Sequence, residues 1–186
     1  MKRIILASNS PRRKELLSKA GLTFEVHPSS YEEVLVSKEF SYAKIENLAY
    51  NKALSVSKEI DDNAVIIGAD TVVVHDNIIL TKPENHEDAV SMIKSLSNIE
   101  HHVVTAICVI DKYINKTKIK SVTTTVHFAD LTDEMINDYV DNYKPYDKAG
   151  AYGIQELPSE FVEYIDGSLE NVIGLCTKTV LAMLED

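Results

Sequence analysis

The alternation of apolar and polar residues along the chain predicts a mixture of strands and amphipathic helices. Segments with apolar and β-branched patterns typical of strands occur at 2–7, 24–27, 64–67, 71–74, 78–80, 103–110, 118–128 and 161–165. Apolar residues at helical spacing predict helices over 41–58, 86–96, 132–140 and 177–184. Ser10 followed by Pro11 predicts the start of one more helix, which Gly21 ends, because serine caps helices, proline suits the first position and glycine suits the position after the last turn.

The order of these elements indicates the fold class. Asp76 and Asn77 lie between two short apolar runs and predict a hairpin, and a second turn near Asn115 joins two long strands. Polar stretches at 28–40 and 143–160 predict loops. Because strands and helices mix without a visible linker or repeat, we expect a single domain over 1–186 with a mixed α/β fold, in which helices pack on a mixed sheet.

Composition narrows the class of protein. Hydrophobic residues make up 45% of the 186 residues, and the net charge of −10 disfavours broad binding to nucleic acid. No stretch of about eighteen apolar residues occurs, and the apolar run 4–7 is too short for a signal peptide, so we expect a cytoplasmic protein that does not cross a membrane. Cys108 and Cys176 lie in apolar runs and are predicted to be buried, reduced thiols.

The segment Ser8-Asn9-Ser10-Pro11-Arg12-Arg13 places two arginines in the first turn of a predicted helix. Cationic side chains oppose the helix dipole at that end, whereas the backbone N–H groups there attract an anion. Two interpretations remain open. The arginines grip a polyphosphate through their guanidinium groups, or they form a solvated basic helix start.

Asp70 follows the apolar run 64–67 and two small residues, Gly68 and Ala69. A carboxylate directly after a buried strand is expected at the lip of a cleft, where small neighbours leave room for a ligand. There it can hold a divalent metal or orient a water molecule. The alternative is an aspartate that only caps a turn at the strand end.

Further segments carry groups that suit a nucleotide. Lys52 and Lys82 offer point charges for phosphate, although a solvated lysine is the ordinary interpretation of each. The run 147–155 contains two glycines and ends at Gln155, whose amide can pair with the edge of a base; alternatively, the run is a structural turn. The histidines form no metal-ligand pattern, because the adjacent pair at 101–102 is expected to face opposite sides of a strand.

In their order along the chain, these segments resemble the motifs of the Maf family. The resemblance spans nearly the whole sequence and is carried by Ala7 to Arg13, Ile67 to Val73, Lys82-Pro83, Leu96 through Ala106, Asp147 to Gln155, and Asn171 to Leu175. It implies an elongated, bent mixed α/β sheet packed by helices and split by a deep active-site cleft. It also implies a cytoplasmic homodimer that removes pyrophosphate from selected nucleoside triphosphates with the help of a divalent cation.

The resemblance also implies roles for individual residues. Asp70 matches the catalytic base, and other active-site positions are matched by Ser8, Arg13, Glu33, Lys52 and Lys82. The branch that acts on dTTP and UTP, rather than on 7-methyl-GTP, is matched at Arg12, Thr71 and Gln155. Magnesium or manganese suits oxygen ligands and phosphates, with Glu33 and Asp70 as the candidate protein ligands.

Two departures from the family pattern bear on this picture. Cys176 stands where the family usually has proline, and Glu156-Leu157-Pro158 stands where it often has a glycine-rich stretch. The second departure lies beside Gln155, so it affects the expected substrate preference more than the reaction type. The alternative function is a nucleotide-responsive binding protein that acts on cell division and septum formation.

Overall fold

The computed structural model describes residues 2–33 and 37–185. Its strands are β1 (Ile4–Leu6), β2 (Glu25–Val26), β3 (Val65–His75), β4 (Ile78–Leu80), β5 (Glu100–Asp111), β6 (Lys116–Phe128) and β7 (Val162–Asp166). Its helices are α1 (Pro11–Lys19), α2 (Tyr42–Glu59), α3 (His86–Leu96), α4 (Asp133–Tyr143), α5 (Leu169–Ile173) and α6 (Thr177–Glu185). The predicted mixed α/β class is confirmed, and part of the predicted loop 28–40 lies outside the described residues.

The seven strands form a mixed sheet in the order β2-β1-β3-β5-β6-β7, with β4 paired to β3. β1 runs parallel to β2 and β3, and the other pairs are antiparallel. The register of β3 on β5 runs from Val65 opposite Asp111 to Val74 opposite His102. Both predicted hairpins, β3–β4 and β5–β6, are confirmed.

Polar caps begin the helices where the sequence predicts them. The Ser10 hydroxyl accepts from the backbone N–H of Arg13, and Gly21 follows α1 with a φ of 79°. Ser41 caps α2 and Thr132 caps α4 in the same way. The short helix α5 was not predicted, since a five-residue helix has too few turns to show helical periodicity in the sequence.

Three clusters of buried side chains make up the core. One lies between α2 and the sheet, one surrounds α3 and α4, and one lies between the sheet and helices α1 and α6. The two cysteines are buried free thiols, as predicted. His101 is buried and His102 is exposed, which confirms that the pair faces opposite sides of β5. Among the described residues, no helix has both the length and the apolar character needed to cross a membrane.

The course of β3 corrects two predictions. Asp70 does not follow a strand; it lies inside β3, opposite Ala106 of β5, because the backbone pairing continues past it without a break. Gly68 does not leave room for a ligand, because a Cβ there would lie 2.5 Å from the backbone oxygen of Ala49. The glycine instead lets α2 pack directly on β3.

Candidate active site

The site forms around an opening beside the middle of β3. β1 pairs with β3 only as far as Ile67, and β4 pairs with it only from Val73 onward. Among the described residues, positions 68–72 therefore have a paired strand on the β5 side alone. The Ile67 carbonyl accepts from the N–H of Ala7 at 2.8 Å, and strand alternation turns the backbone groups of residues 69 and 71 toward the same edge.

A lysine joins two carboxylates on the α2 side of this opening. Lys52, on α2, donates to Asp70 Oδ1 at 2.5 Å and also forms an ion pair with Glu33. The side chains of Lys52 and Asp70 are 15% and 8% exposed, so their charges interact with little screening by water. Glu33 comes from the loop before α2 and is more exposed.

The two carboxylates differ in their tendency to hold a proton. Burial raises the pKa of Asp70, and the charge of Lys52 opposes that shift only in part. Burial also disfavours the charged form of Glu33, but there the hydrogen bond and charge of Lys52 prevail, and the pKa of Glu33 is lowered. Asp70 is thus the stronger base of the pair, which is the property that a proton acceptor requires.

Arg13 occupies the other side of the opening. Its Nε donates to the Gly174 carbonyl and its Nη2 donates to Thr71 Oγ1, each at 3.0 Å, while Nη1 lies 3.4 Å from Ser8 Oγ. Burial lowers the pKa of Arg13, and the nearby charge of Asp70 opposes that shift. Asp70 and Thr71 are consecutive in β3, so their side chains face opposite sides of the sheet. The opening is therefore the place where the Asp70–Lys52 pair on one side meets the Arg13–Thr71 pair on the other.

A cavity of about 530 Å³ lies on the Arg13 side. Five of the predicted site residues line it: Arg12, Arg13, Thr71, Lys82 and Gln155. The remaining four predicted residues, Ser8, Glu33, Lys52 and Asp70, are not part of its wall. Among the described residues, the predicted site therefore falls into two parts, a carboxylate–lysine group and a cation-lined cavity. Ser8, Arg13 and Thr71 lie between the two parts and connect them.

An ion pair that the sequence analysis did not foresee holds the loop carrying Gln155. Lys148 is 9% exposed, and its Nζ lies 3.0 Å from Asp147 and 3.2 Å from Glu156. A Cβ on Gly153 would lie 2.9 Å from Cε of Lys148, so the glycine lets the lysine cross the loop. The sequence signal that could have indicated this ion pair is the placing of opposite charges, Lys148 and Glu156, on either side of Gly153.

Two buried polar residues behind the cavity were also missed. Thr105 and Asn171 are both 0% exposed and lie on β5 and α5. The Asn171 side chain donates to the backbone oxygens of Val103 and Val122 and to Thr124 Oγ1. A threonine within an apolar strand and an asparagine within a recognised motif were the signals in the sequence.

The protein groups that could bind a metal are few. Within the described ranges, no three histidine, cysteine, aspartate or glutamate side chains come together as a ligand set. Glu33 and Asp70 nevertheless converge on one cationic group, the ammonium of Lys52. Two carboxylates of this kind suit a magnesium ion that takes its other ligands from water and substrate phosphates.

Comparison with known proteins defines the class to which this fold and site belong. The family model described as "Maf-like protein" matches residues 3–186, so the chain belongs to the Maf family.

Three relatives carry the name dTTP/UTP pyrophosphatase. The protein of Alkaliphilus metalliredigens (strain QYMF) is 46% identical over 175 residues, which is 94% of this chain and 91% of the relative. That of Alkaliphilus oremlandii (strain OhILAs) is 47% identical over 176 residues, with the same coverage of 94% and 91%. That of Clostridium perfringens (strain 13 / Type A) is 42% identical over 185 residues, covering 99% of this chain and 96% of the relative.

Proposed function

We propose that this protein is a nucleoside triphosphate pyrophosphatase that hydrolyses dTTP and UTP to the monophosphate and pyrophosphate. The observation that carries the proposal is the pairing of Asp70 with Lys52 at 2.5 Å beside an opening to a cavity lined by Arg12, Arg13 and Lys82. The names of the relatives support both the reaction and the substrates. They lend no support to the alternative of a division-related binding protein.

In this proposal Asp70 accepts the proton of the attacking water as water adds across the anhydride between the α and β phosphates. Its raised pKa makes it a better base than an ordinary aspartate. Lys52 holds the carboxylate in place, and Ser8 helps to fix Arg13. Arg13 and Lys82 stabilise the negative charge that builds up on the leaving pyrophosphate.

Specificity is assigned to the cavity wall. Gln155 is exposed there, and its amide offers both a donor and an acceptor to the edge shared by uracil and thymine. Arg12 and Thr71 line the same cavity. A site that hydrogen-bonds a base rejects a wrong edge strongly, because its polar groups are left unpaired.

The substrate assignment is tested by measuring kcat/KM side by side for UTP, dTTP, ATP, GTP and 7-methyl-GTP. We expect UTP and dTTP to exceed the others by about tenfold or more, on the scale of a lost buried hydrogen bond. The variant Gln155→Glu should lower UTP turnover without lowering the melting temperature. A lead for GTP or 7-methyl-GTP would overturn the substrate assignment, and nucleotide binding without hydrolysis would favour the binding-protein alternative.

We also propose that the reaction requires magnesium or manganese, held by Glu33 and Asp70 together with the substrate phosphates. The ion would supply charge neutralisation at the phosphates and a more acidic bound water. EDTA should therefore abolish hydrolysis, and added magnesium or manganese should restore it. Undiminished activity in excess chelator contradicts this requirement.

A cytoplasmic homodimer and a single domain over 1–186 are further proposals. The family resemblance supports the dimer, and the two buried free thiols, Cys108 and Cys176, suit a reducing compartment. Light scattering on the purified protein checks the dimer, and a mass equal to one chain would exclude it under those conditions.

A further inference from the structure

A buried threonine in β5 lies directly behind the cavity wall. Thr105 is 0% exposed and stands opposite Thr71 in the β3–β5 register. The two hydroxyl oxygens are 2.9 Å apart. Arg13 and Thr71 line the cavity, whereas Thr105 is not part of its wall.

The two hydroxyl groups belong to one connected set of hydrogen bonds. Thr105 Oγ1 lies 3.2 Å from the backbone carbonyl of Asn171, and Thr71 Oγ1 lies 3.1 Å from the backbone carbonyl of Gly174. Because each hydroxyl has a single hydrogen, one threonine donates to its carbonyl and the other donates to the neighbouring hydroxyl, and either threonine can take either role. Thr71 in turn accepts from Arg13 Nη2 at 3.0 Å. In either arrangement the two hydroxyls stay hydrogen-bonded to each other, and connected bonds of this kind strengthen one another.

The Asn171 end of this hydrogen-bonded set is held by rigid structure. Asn171 is held by its side-chain bonds to Val103, Val122 and Thr124, on two neighbouring strands. Thr105 therefore lies between a fixed backbone carbonyl on α5 and a hydroxyl beside the reacting groups. Three of the five N–H groups of Arg13 face Ser8, Thr71 and Gly174, and the other two have no partner among the described residues and can face a ligand.

We infer that Thr105 is a positioning residue for the hydrolytic reaction, which orients the Arg13 guanidinium through the hydroxyl of Thr71. The inference rests on the proposed function, because it assigns Arg13 to the phosphates. A methyl group in place of the Thr105 hydroxyl cannot stay 2.9 Å from an oxygen, since carbon contacts require about 3.5 Å. The resulting shift of Thr71 displaces the guanidinium fork from the transition state.

The test compares Thr105→Val, Thr105→Ala and Thr105→Ser with the wild type in UTP hydrolysis, together with the melting temperature of each. Thr105→Val and Thr105→Ala should lower kcat about tenfold or more, while KM changes less than about threefold, because a misplaced charge is felt most in the transition state. Thr105→Ser restores the hydroxyl and should keep at least about a third of the wild-type kcat. If Thr105→Val does not fold, the alanine and serine variants make the same comparison.

Thr177→Val is the matched control. Thr177 is also a buried threonine, at the start of α6, and its hydroxyl bonds Glu170, but it makes no hydrogen bond to Asn171, Thr71 or Arg13. It should lose stability to a similar extent and keep its kcat. When Arg13→Lys is already present, adding Thr105→Val should lower kcat by less than about twofold further, because the guanidinium group that Thr105 orients has been removed.

Equal kcat values for Thr105→Val and Thr177→Val, or a full additional loss in the Arg13→Lys background, would overturn the inference. Failure of the wild type to hydrolyse any nucleotide is a different result, because it defeats the proposed function. The affinity for inorganic pyrophosphate, measured by calorimetry, then decides: a loss of about tenfold in Thr105→Val supports the positioning role, and an unchanged affinity excludes it.

Discussion

At the residue scale, Asp70 shows how a carboxylate is kept reactive inside a strand. Burial disfavours its charged form, and an isolated buried carboxylate would simply remain protonated. Lys52, at 2.5 Å, offsets this cost of burial in part, while the partly exposed Glu33 shares the same ammonium. A base whose pKa lies above that of an ordinary aspartate follows from this balance.

Replacing this carboxylate separates chemistry from folding. Asp70→Asn keeps the shape of the side chain and removes the proton acceptor, so turnover should fall by about a hundredfold or more. The fold should survive, because burial already opposes the charge and Glu33 still neutralises Lys52. Steady-state kinetics and thermal melting measure the two effects. Asp166→Asn, at the exposed end of β7, is the control, and near-normal turnover of folded Asp70→Asn contradicts the assignment of the base.

The sequence predicted the charged groups of the site better than their partners. Asp70, Arg13 and Lys82 stand out because their charges interrupt apolar or turn patterns. Thr105 could not be paired with Thr71 in advance, because that contact depends on the exact β3–β5 register. A shift of one residue in that register would send the two side chains to opposite faces of the sheet.

At the element scale, the loop 147–156 is more firmly held than its composition implies. Gly150 adopts the left-handed conformation, with a φ of 68°, and the N–H of Glu156 bonds the Gly153 carbonyl at 2.9 Å. Leu157 packs against the cluster around α3 and α4. The departure from the family pattern after Gln155 thus forms an inward-facing turn, in which Glu156 reaches Lys148.

Removing the charge of Glu156 should loosen this turn. Glu156→Gln leaves Lys148 with Asp147 alone, so the turn that carries Gln155 at the cavity wall is held less firmly. We expect kcat/KM for UTP to fall about three- to tenfold and the preference for UTP over GTP to narrow, because misplaced groups discriminate poorly. Glu160→Gln, exposed in the same segment, serves as the control. An unchanged preference in Glu156→Gln would show that the ion pair does not set specificity.

Long elements were predictable and short ones were not. The apolar spacing of α2 and α3 repeats over several turns, so their positions follow directly from the pattern. By contrast, α5 spans five residues and is held by its Ser168 cap and by its contacts with the sheet. The predicted break after 64–67 was wrong, because small and acidic residues in the middle of β3 resemble a strand end.

At the scale of the whole molecule, β3 and β5 connect the three core clusters. Ile66, Ile67 and Val73 of β3 belong to different clusters, as do Val103, Val104 and Ile107 of β5. Loss of packing in any one of the three clusters therefore disturbs β3 and β5, on which the other two clusters also depend. We expect one cooperative unfolding transition, with equal calorimetric and van't Hoff enthalpies. Two separate transitions would contradict the proposal of a single domain.

His101 makes this cooperative stability sensitive to acid. It is 0% exposed in the cluster around α3 and α4, where its Nε2 lies 2.6 Å from the Tyr152 hydroxyl and its Nδ1 has no described partner. Burial lowers the pKa of His101 to about 3, whereas an unfolded histidine titrates near 6.5. Between these values the unfolded chain binds the extra proton, so the folded state loses stability as the pH falls.

The free energy of unfolding should therefore decrease by about 2 kcal/mol between pH 7.5 and pH 5 through His101 alone. Asp70 acts in the opposite direction, because a raised pKa favours the protonated folded state. The carboxyls whose pKa is lowered, Glu25 and Glu59 among them, also stabilise the folded protein, but that contribution is lost only at lower pH, below their unfolded pKa values near 4.5.

Urea unfolding at several pH values measures how steeply the free energy of unfolding changes with pH. His101→Gln removes the titrating group and should flatten that slope. His102→Gln, on the exposed face of β5, is the control and should leave the slope unchanged. Equal slopes in both variants would exclude His101 as the source of the pH dependence.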